Sequence, residues 1–295
     1  MKKKTIYALG FFDGVHVGHQ ALLSACRDLA AEQGCEAGVV TFDTHPEALV
    51  TNQAPPLINT VEDRCQMFLA HGFSDLLVLP FDEELMQTPW QVFLENLIQQ
   101  KGAAGFVCGD DFRFGHKGQG TAESLAQFCR ERSLPYAIVS ERTIDGVRIS
   151  STHIRSLIEA GDVETAAKFL GHPHILSGRV VQGRQLGRTI GIPTANLLLP
   201  QGVVVPRLGV YASTCVVDGT EYMAVTNIGS RPTVEGHQVR AESWILDFEG
   251  DLYGKYIQLE FHKFLRPERK FPSLEELRTE ILKNGEETRK YFENF

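Results

Sequence analysis

Two histidines three residues apart, His16 and His19, stand in the run GFFDGVHVGH at residues 10–19, directly after a short β-rich stretch. Gly10, Gly14 and Gly18 let the backbone approach a ligand closely, and a helical pattern begins almost at once. A helix N-terminus presents free N–H groups and the positive end of its dipole, which makes this a natural place for an anion. Imidazoles at that spacing share a helix face and can donate hydrogen bonds as charge builds on a phosphate, the service that transfer at an α-phosphate requires. A tight turn with incidental histidines, or a metal pair lacking its other ligands, fits the same residues. No G-x-x-x-x-G-K-[ST] loop and no G-x-G-x-x-G run occurs, which excludes the usual P-loop and dinucleotide fingerprints.

Two further segments are expected to converge on the same place. GDDFRFGHKGQGT (109–121) delivers Asp110, Asp111, Phe112 and Phe114 at the end of an expected strand, where open α/β sheets bind ligands; the two rings either bracket a planar group or belong to the core. ISSTHIR (149–155) offers the Ser151 and Thr152 hydroxyls and the Arg155 fork at a helix start, suited to phosphate oxygens, although Ser and Thr there also serve as plain caps. Later in the chain, GRQLGRTIGIPTAN spaces Gly183, Gly187 and Gly191 four apart around Arg188, then presents Thr194 and Asn196. Such a loop can cover a polyphosphate, and the two oxygens suit Mg²⁺, which takes few protein ligands when phosphates supply the rest; an irregular hairpin is the alternative. Glu242 lies in an alternating run with Trp244 and Leu246 on its face, as a general base for a hydroxyl attacking a γ-phosphate or as a surface glutamate.

The elements that must position these residues change character partway along. Up to about residue 170, short β-rich runs (Thr5–Leu9, Ala37–Phe42, Leu76–Leu79, Gly105–Cys108, Tyr136–Val139) alternate with helical patterns, the order of a parallel sheet flanked by helices. Thr88-Pro89 is expected to be an N-cap and first helical position, and a single helix is expected from Ile154 to Leu170. After Gly171 come Ile175–Val181, Val210–Val217, Tyr222–Ile228, Ala241–Phe248 and Tyr256–Phe261, separated by turn residues, as in an antiparallel barrel. Ser273 with Glu276 forms a capping box, and Leu274, Leu277, Ile281 and Leu282 give a long terminal helix its apolar stripe. The expected domains are 1–172 and 173–295.

The 295 residues suffice for two cores, and 37 acidic against 29 basic side chains give a net charge of −8. With no long basic run, nucleic acid and anionic membrane are not expected partners. Six cysteines without a C-x-x-C pair or zinc spacing are expected to be reduced and mostly structural. Asp13, His16 and His19 interrupt what a cleavable leader would need, and no apolar run approaches a membrane span, so the expected location is the cytoplasm.

Taken in order, GFFDGVHVGH, TFDTHP (41–46), GDDFRFG, ISSTHIR, GRQLGRTIGIPTANL, LGVYAS (208–213), NIGSRPT (227–233), DFEGDLYG and FLRPERKF (264–271) resemble the bacterial bifunctional riboflavin kinase/FAD synthetase family over nearly the whole chain. The resemblance implies a Rossmann-like H-x-G-H nucleotidyltransferase domain, then a six-stranded riboflavin-kinase barrel with a C-terminal helix. It implies that riboflavin and ATP give FMN, and that FMN and ATP give FAD and pyrophosphate, with Mg²⁺ and without a covalent enzyme intermediate. His16 and His19 would stabilise the ATP phosphates; Gly10, Phe12, Asp13, Gly18, Ser151, Thr152 and Arg155 would bind them; Asp111 and Phe112 would line the flavin and nucleotide pocket. In the barrel, Thr194 and Asn196 would hold Mg²⁺-ATP, Gly183, Gly187, Arg188 and Gly191 would cover its phosphates, and Glu242 would deprotonate the riboflavin 5′-hydroxyl. Thr44, Ser243-Trp244 and a terminal helix ending at Asn284-Gly285-Glu286 depart from the family pattern.

Overall fold

A strand buried on both faces carries no polar alternation, and every residue of the first strand, β1 (Thr5–Leu9), is buried. In this computed structural model, which describes residues 4–51, 54–183, 186–233 and 236–294, the chain divides into two units, Met1–Ser151 and Thr152–Phe295. Arg184 and Gln185 of the glycine-spaced loop lie outside the described residues.

The first unit runs β1, α1 (Val17–Glu32), β2 (Glu36–Phe42), α2 (Pro46–Thr51), α3 (Val61–Ala70), β3 (Asp75–Leu79), α4 (Glu83–Gln87), α5 (Trp90–Lys101) and β4 (Ala103–Gly109). The short β5 (Arg113–Phe114) and β6 (Gly120–Thr121), α6 (Ala122–Glu131), β7 (Tyr136–Val139), β8 (Thr143–Ile144) and β9 (Val147–Arg148) follow. The main sheet is parallel, in the order β3-β2-β1-β4-β7. The chain leaves β1 to pair β2 on one side and later returns to pair β4 on the other, so the strand order reverses beside β1. The crevice beyond the carboxyl ends of β1 and β4 is where such sheets hold ligands.

The second unit opens with two helices, α7 (Ser151–Ala160) and α8 (Val163–Leu170), in place of the single helix expected there. Gly161 takes φ +85, open to glycine, and Asp162 caps α8 by accepting from Thr165 N at 3.1 Å, so a fresh helix starts. Then come β10 (His174–Val181), α9 (Leu186–Thr189), β11 (Ala195–Leu198), β12 (Gly209–Val217), β13 (Thr220–Thr233), β14 (Gly236–Ile245), β15 (Tyr256–Pro267) and α10 (Leu274–Glu293). Six antiparallel strands close in the order β10-β11-β14-β13-β12-β15. Tyr211, Cys215, Ile228, Ala241, Ile245, Leu259 and Phe261 belong to one core cluster with other strand residues. Among polar residues of the same parity, Ser213, Thr226 and Ser243 form a buried hydroxyl chain with oxygens 2.7 and 2.8 Å apart. The six cysteines are unbridged, four of them buried, as expected of structural thiols.

Two further expectations change. Thr88 ends α4, its hydroxyl donating to the Glu84 carbonyl at 2.8 Å, and Pro89 occupies the cap of α5. Helix α10 does not stop at Asn284-Gly285-Glu286 but continues to Glu293, and the residues it buries are Asn284, Gly285 and Thr288, whereas Leu274 is 50% exposed. Gly285 sits there because a Cβ would lie 2.7 Å from the Trp244 ring. Ser273 does cap α10, accepting from Glu276 N at 3.2 Å.

Candidate active sites

The loop leaving β1 forms a cradle at the start of α1. Phe12 (φ 60) and Gly14 (φ 78) take left-handed conformations, which reverse the chain within a few residues. His16 caps α1, its Nδ1 accepting from His19 N at 3.2 Å. A ring nitrogen that accepts carries no hydrogen, so the His16 proton sits on Nε2. The two imidazoles stack with centroids 3.5 Å apart and planes 11° apart. Gly18 lies under the His16 ring, where a Cβ would come within 3.2 Å, and Gly10 has no room for a Cβ beside the Phe12 ring at 2.9 Å.

His19 Nδ1 is buried without a hydrogen-bond partner, an unmatched polar atom at the helix start. Burial first, then His16 and the nearby Arg64, hold the His19 pKa well below the ordinary imidazole range. His19 is therefore neutral near pH 7 and can meet a phosphate as a donor through one nitrogen. Asp13 turns its carboxylate inward to accept from Ile58 N at 2.8 Å, fixing the segment before α3, while its carbonyl accepts from Ser151 Oγ at 3.0 Å. The structure thus brings Gly10, Phe12, Asp13, His16, Gly18, His19 and Ser151 together. Thr152, exposed, and Arg155, buried, follow on the first turns of α7.

Asp111 and Phe112 stand past the end of β4, next to β1 in the sheet. Asp111 is paired with Arg148 at 2.9 Å, and Arg148 also pairs with Glu141. Phe112 and Phe114 do not bracket anything, because they stack on each other with centroids 5.3 Å apart. Phe114 is buried in the core, leaving Phe112 half-buried beside it.

On the barrel the second site forms by register. Asn196 of β11 lies opposite Glu242 of β14, and Glu242 lies opposite Asn227 of β13, so two carboxamides flank the carboxylate in one cross-strand row. Alternation puts this row on the face opposite the interior hydroxyl chain. A pocket there is lined by Thr194, Asn227, Glu242, Trp244, Arg266 and Asn284, among others. Helix α10 borders it, held by Arg266 Nε to Asn284 Oδ1 at 3.1 Å, by Arg266 to Glu280 at 3.2 Å, and by the Arg289–Asp247 fork at 2.7 and 2.8 Å.

Asn196 is buried, with an Oδ1 that lacks a hydrogen-bond partner, an acceptor directed at nothing the chain supplies. Gly183 backs it, since a Cβ there would lie 2.6 Å from the Asn196 carboxamide. A Cβ at Gly187 would collide with the Ile192 carbonyl and would lie 3.5 Å from Thr194 Oγ1. No cluster of three or more His, Cys, Asp or Glu side chains suited to a metal occurs among the described residues. By its chemistry, a set of neutral oxygens with one carboxylate nearby suits a hard cation whose remaining ligands arrive with a phosphate. Arg188 is exposed over the Tyr253 ring at 5.4 Å, and Gly191 takes φ +73 at the end of the loop, which Arg278 of α10 secures through the Ile190 carbonyl at 3.1 Å.

Sequence reasoning missed Arg64, Asn227 and Arg266. Arg64 is an isolated arginine in an amphipathic stretch, and the roles of Asn227 and Arg266 follow from strand register; only their inclusion in NIGSRPT and FLRPERKF drew attention to the latter two.

A parallel sheet with a histidine-bearing anion cradle at its switch point, followed by a barrel with a carboxylate between two carboxamides, defines a two-domain phosphate-transfer enzyme. The FAD synthetase family model matches residues 1–153 and the riboflavin kinase model matches 170–292. The bifunctional riboflavin kinase/FMN adenylyltransferase of Listeria monocytogenes is 34% identical over 97% of this chain and 92% of its own length. Its counterparts in Bacillus subtilis and Escherichia coli are each 36% identical, over 99% and 97% of this chain and 93% and 92% of their own. A crystal structure of a Streptococcus pneumoniae protein described as a macrolide-efflux protein superposes with a TM-score of 0.87 at 31% identity, covering 98% of this chain and 95% of that one. No helix among the described residues is long and apolar enough to cross a membrane. The chain belongs to the bifunctional riboflavin kinase/FMN adenylyltransferase family.

Proposed function

We propose that this chain makes FAD from riboflavin in two ATP-dependent steps, with the kinase in 173–295 and the adenylyltransferase in 1–172, so that ISSTHIR stays with the histidine cradle. The observation that carries this reading is the coexistence of an anion cradle and a carboxylate flanked by carboxamides, each inside the segment matched by the corresponding family model.

In the kinase step the riboflavin 5′-oxygen attacks the γ-phosphorus of ATP, the bond to the β,γ-bridging oxygen breaks, and ADP leaves. Glu242 takes the hydroxyl proton, a contribution of about 10²–10⁴ in rate. Thr194 and the unmatched Asn196 Oδ1 would hold Mg²⁺, which when bound screens charge on the β- and γ-phosphates. The loop carrying Gly183, Gly187, Arg188 and Gly191 covers the phosphates.

In the adenylyl step an oxygen of the FMN phosphate attacks the α-phosphorus of a second ATP, and pyrophosphate leaves. The start of α1, His16 Nε2–H and neutral His19 meet the charge that gathers on the α-phosphate, supported by Gly10, Phe12, Gly18, Ser151, Thr152 and Arg155. Asp13 shapes the loop through Ile58. Asp111 and Phe112 border the flavin and nucleotide. On this reading the enzyme works in the cytoplasm, and the net charge of −8 disfavours nucleic acid as a partner.

The test is a time course with purified protein, riboflavin and Mg²⁺-ATP, with flavins separated by chromatography. FMN appearing before FAD is expected; tight flavin binding without product would turn the reading into that of a flavin-sensing protein.

A further inference from the structure

Arg64, on α3, has 0% of its surface exposed, although an ionised group removed from water is costly to keep. The atoms its guanidinium reaches are neutral: the Phe11 carbonyl, Thr41 Oγ1 at 3.0 Å and the Phe42 carbonyl at 2.9 Å. Thr41 also donates to the Phe11 carbonyl, at 2.9 Å, so one oxygen at the root of the histidine loop receives two donors. The guanidinium lies over the Phe11 ring at 4.3 Å, and its Nε has no hydrogen-bond partner. The next residue, Phe12, is the left-handed position from which the loop turns, and its ring meets both His19 (5.3 Å) and Phe68 of α3 (5.5 Å). The exit of β1 and the end of β2 are thus joined through the Arg64 side chain, one residue before Phe12, whose ring carries the contact on to His19.

We propose that Arg64 is a positioning residue for adenylyl transfer: it holds the Phe11 carbonyl and the ends of β1 and β2 in the arrangement from which the histidine loop meets the phosphates, and lends that loop its positive charge. The proposal rests on the adenylyltransferase reading. Neutral donors would satisfy the two carbonyls as well, without the cost of burying a charge, so holding the backbone does not by itself account for a cation here. Asp13, Asp43 and Glu62 offset part of the charge of Arg64, and His16 and Arg64 are the charged or titratable neighbours acting on His19.

The test uses the full chain as wild type, Arg64→Met and Arg64→Lys, with three readouts: kcat and KM for conversion of FMN to FAD, riboflavin phosphorylation as an internal control, and the His19 titration by NMR. For Arg64→Met, kcat should fall about 10²-fold, the magnitude of a lost preorganised donor, with both KM values within about threefold and phosphorylation unchanged. The His19 midpoint should move up, because the cation that disfavours its protonation is gone. An unchanged kcat, or a fall in kcat with an unmoved His19 midpoint, overturns the proposal. Should Arg64→Met not fold, Arg64→Lys decides: it keeps the charge but not the fork, so His19 should titrate as in wild type while kcat drops about tenfold, and a wild-type kcat would contradict the positioning role. A wild-type protein that makes no FAD would refute the adenylyltransferase reading instead, and the His19 midpoint would still report whether the charge of Arg64 reaches that ring.

Discussion

At the start of α1 the groups that the proposed adenylyl site would offer a phosphate are donors, namely backbone N–H groups, His16 Nε2–H and His19, with the buried charge of Arg64 behind them. On the barrel the cross-strand row offers acceptors, the Asn196 and Asn227 carboxamide oxygens and the Glu242 carboxylate, which suit a cation or a hydroxyl proton. The difference follows from the two nucleophiles. An FMN phosphate is already anionic and has no proton to lose, so its site needs only positive potential at the α-phosphate. A riboflavin hydroxyl must lose a proton, so its site needs a base, and a carboxylate near a triphosphate needs a cation to offset the repulsion.

The largest test of this contrast is Glu242→Gln. FMN formation should fall by about 10²–10⁴ while FMN-to-FAD conversion is retained, and loss of both activities would contradict separate chemistries. Next, His19→Ala should slow adenylylation about 10²-fold and leave phosphorylation within about twofold; an unchanged FAD rate would mean that the phosphate does not sit at α1. A smaller effect sharpens the metal half of the comparison. Gly183→Ala places a Cβ 2.6 Å from the Asn196 carboxamide, so kinase activity should need about tenfold more Mg²⁺ while the adenylyl step keeps its own requirement. An unchanged Mg²⁺ dependence would argue against Asn196 as a ligand.

The smallest effect concerns stability. His174 of β10 is fully buried with both ring nitrogens unpartnered, and burial, aided by His172, lowers its pKa to about 3. Below the ordinary pKa of about 6.5 the unfolded chain takes up a proton that the folded barrel refuses, so stability is full above that value and declines as the pH falls toward 3. His174→Phe should therefore raise the thermal midpoint by about a few degrees, more at pH 5 than at pH 8. An equal shift at both pH values would show that His174 does not titrate in this way.

Much of the fold was legible because buried parallel strands and barrel strands announce themselves in composition; β1 and β7 occupy the expected residues. The strand Ala195–Leu198 was hidden, being four residues long and following Pro193 inside a motif that reads as a loop. Gly161 and Gly285 each sit in a helical pattern, yet one ends a helix and the other continues it, because Gly161 takes φ +85 whereas Gly285 keeps the helical backbone and packs against the Trp244 ring. The site followed the same division. His16, His19, Thr194 and Asn196 lie in local motifs and were legible, whereas Asn227 owes its place beside Glu242 to strand register and Arg64 owes its place beneath the histidine loop to the packing of α3.

The most direct measurement mixes two disabled proteins. Glu242→Gln and His19→Ala, each supplied with riboflavin and Mg²⁺-ATP, should make little FAD alone, the first for want of FMN and the second accumulating it. Combined in one tube they should form FAD at a rate set by the intact site of each. A mixture that makes no more FAD than either protein by itself would contradict two chemically distinct, separable sites in this chain.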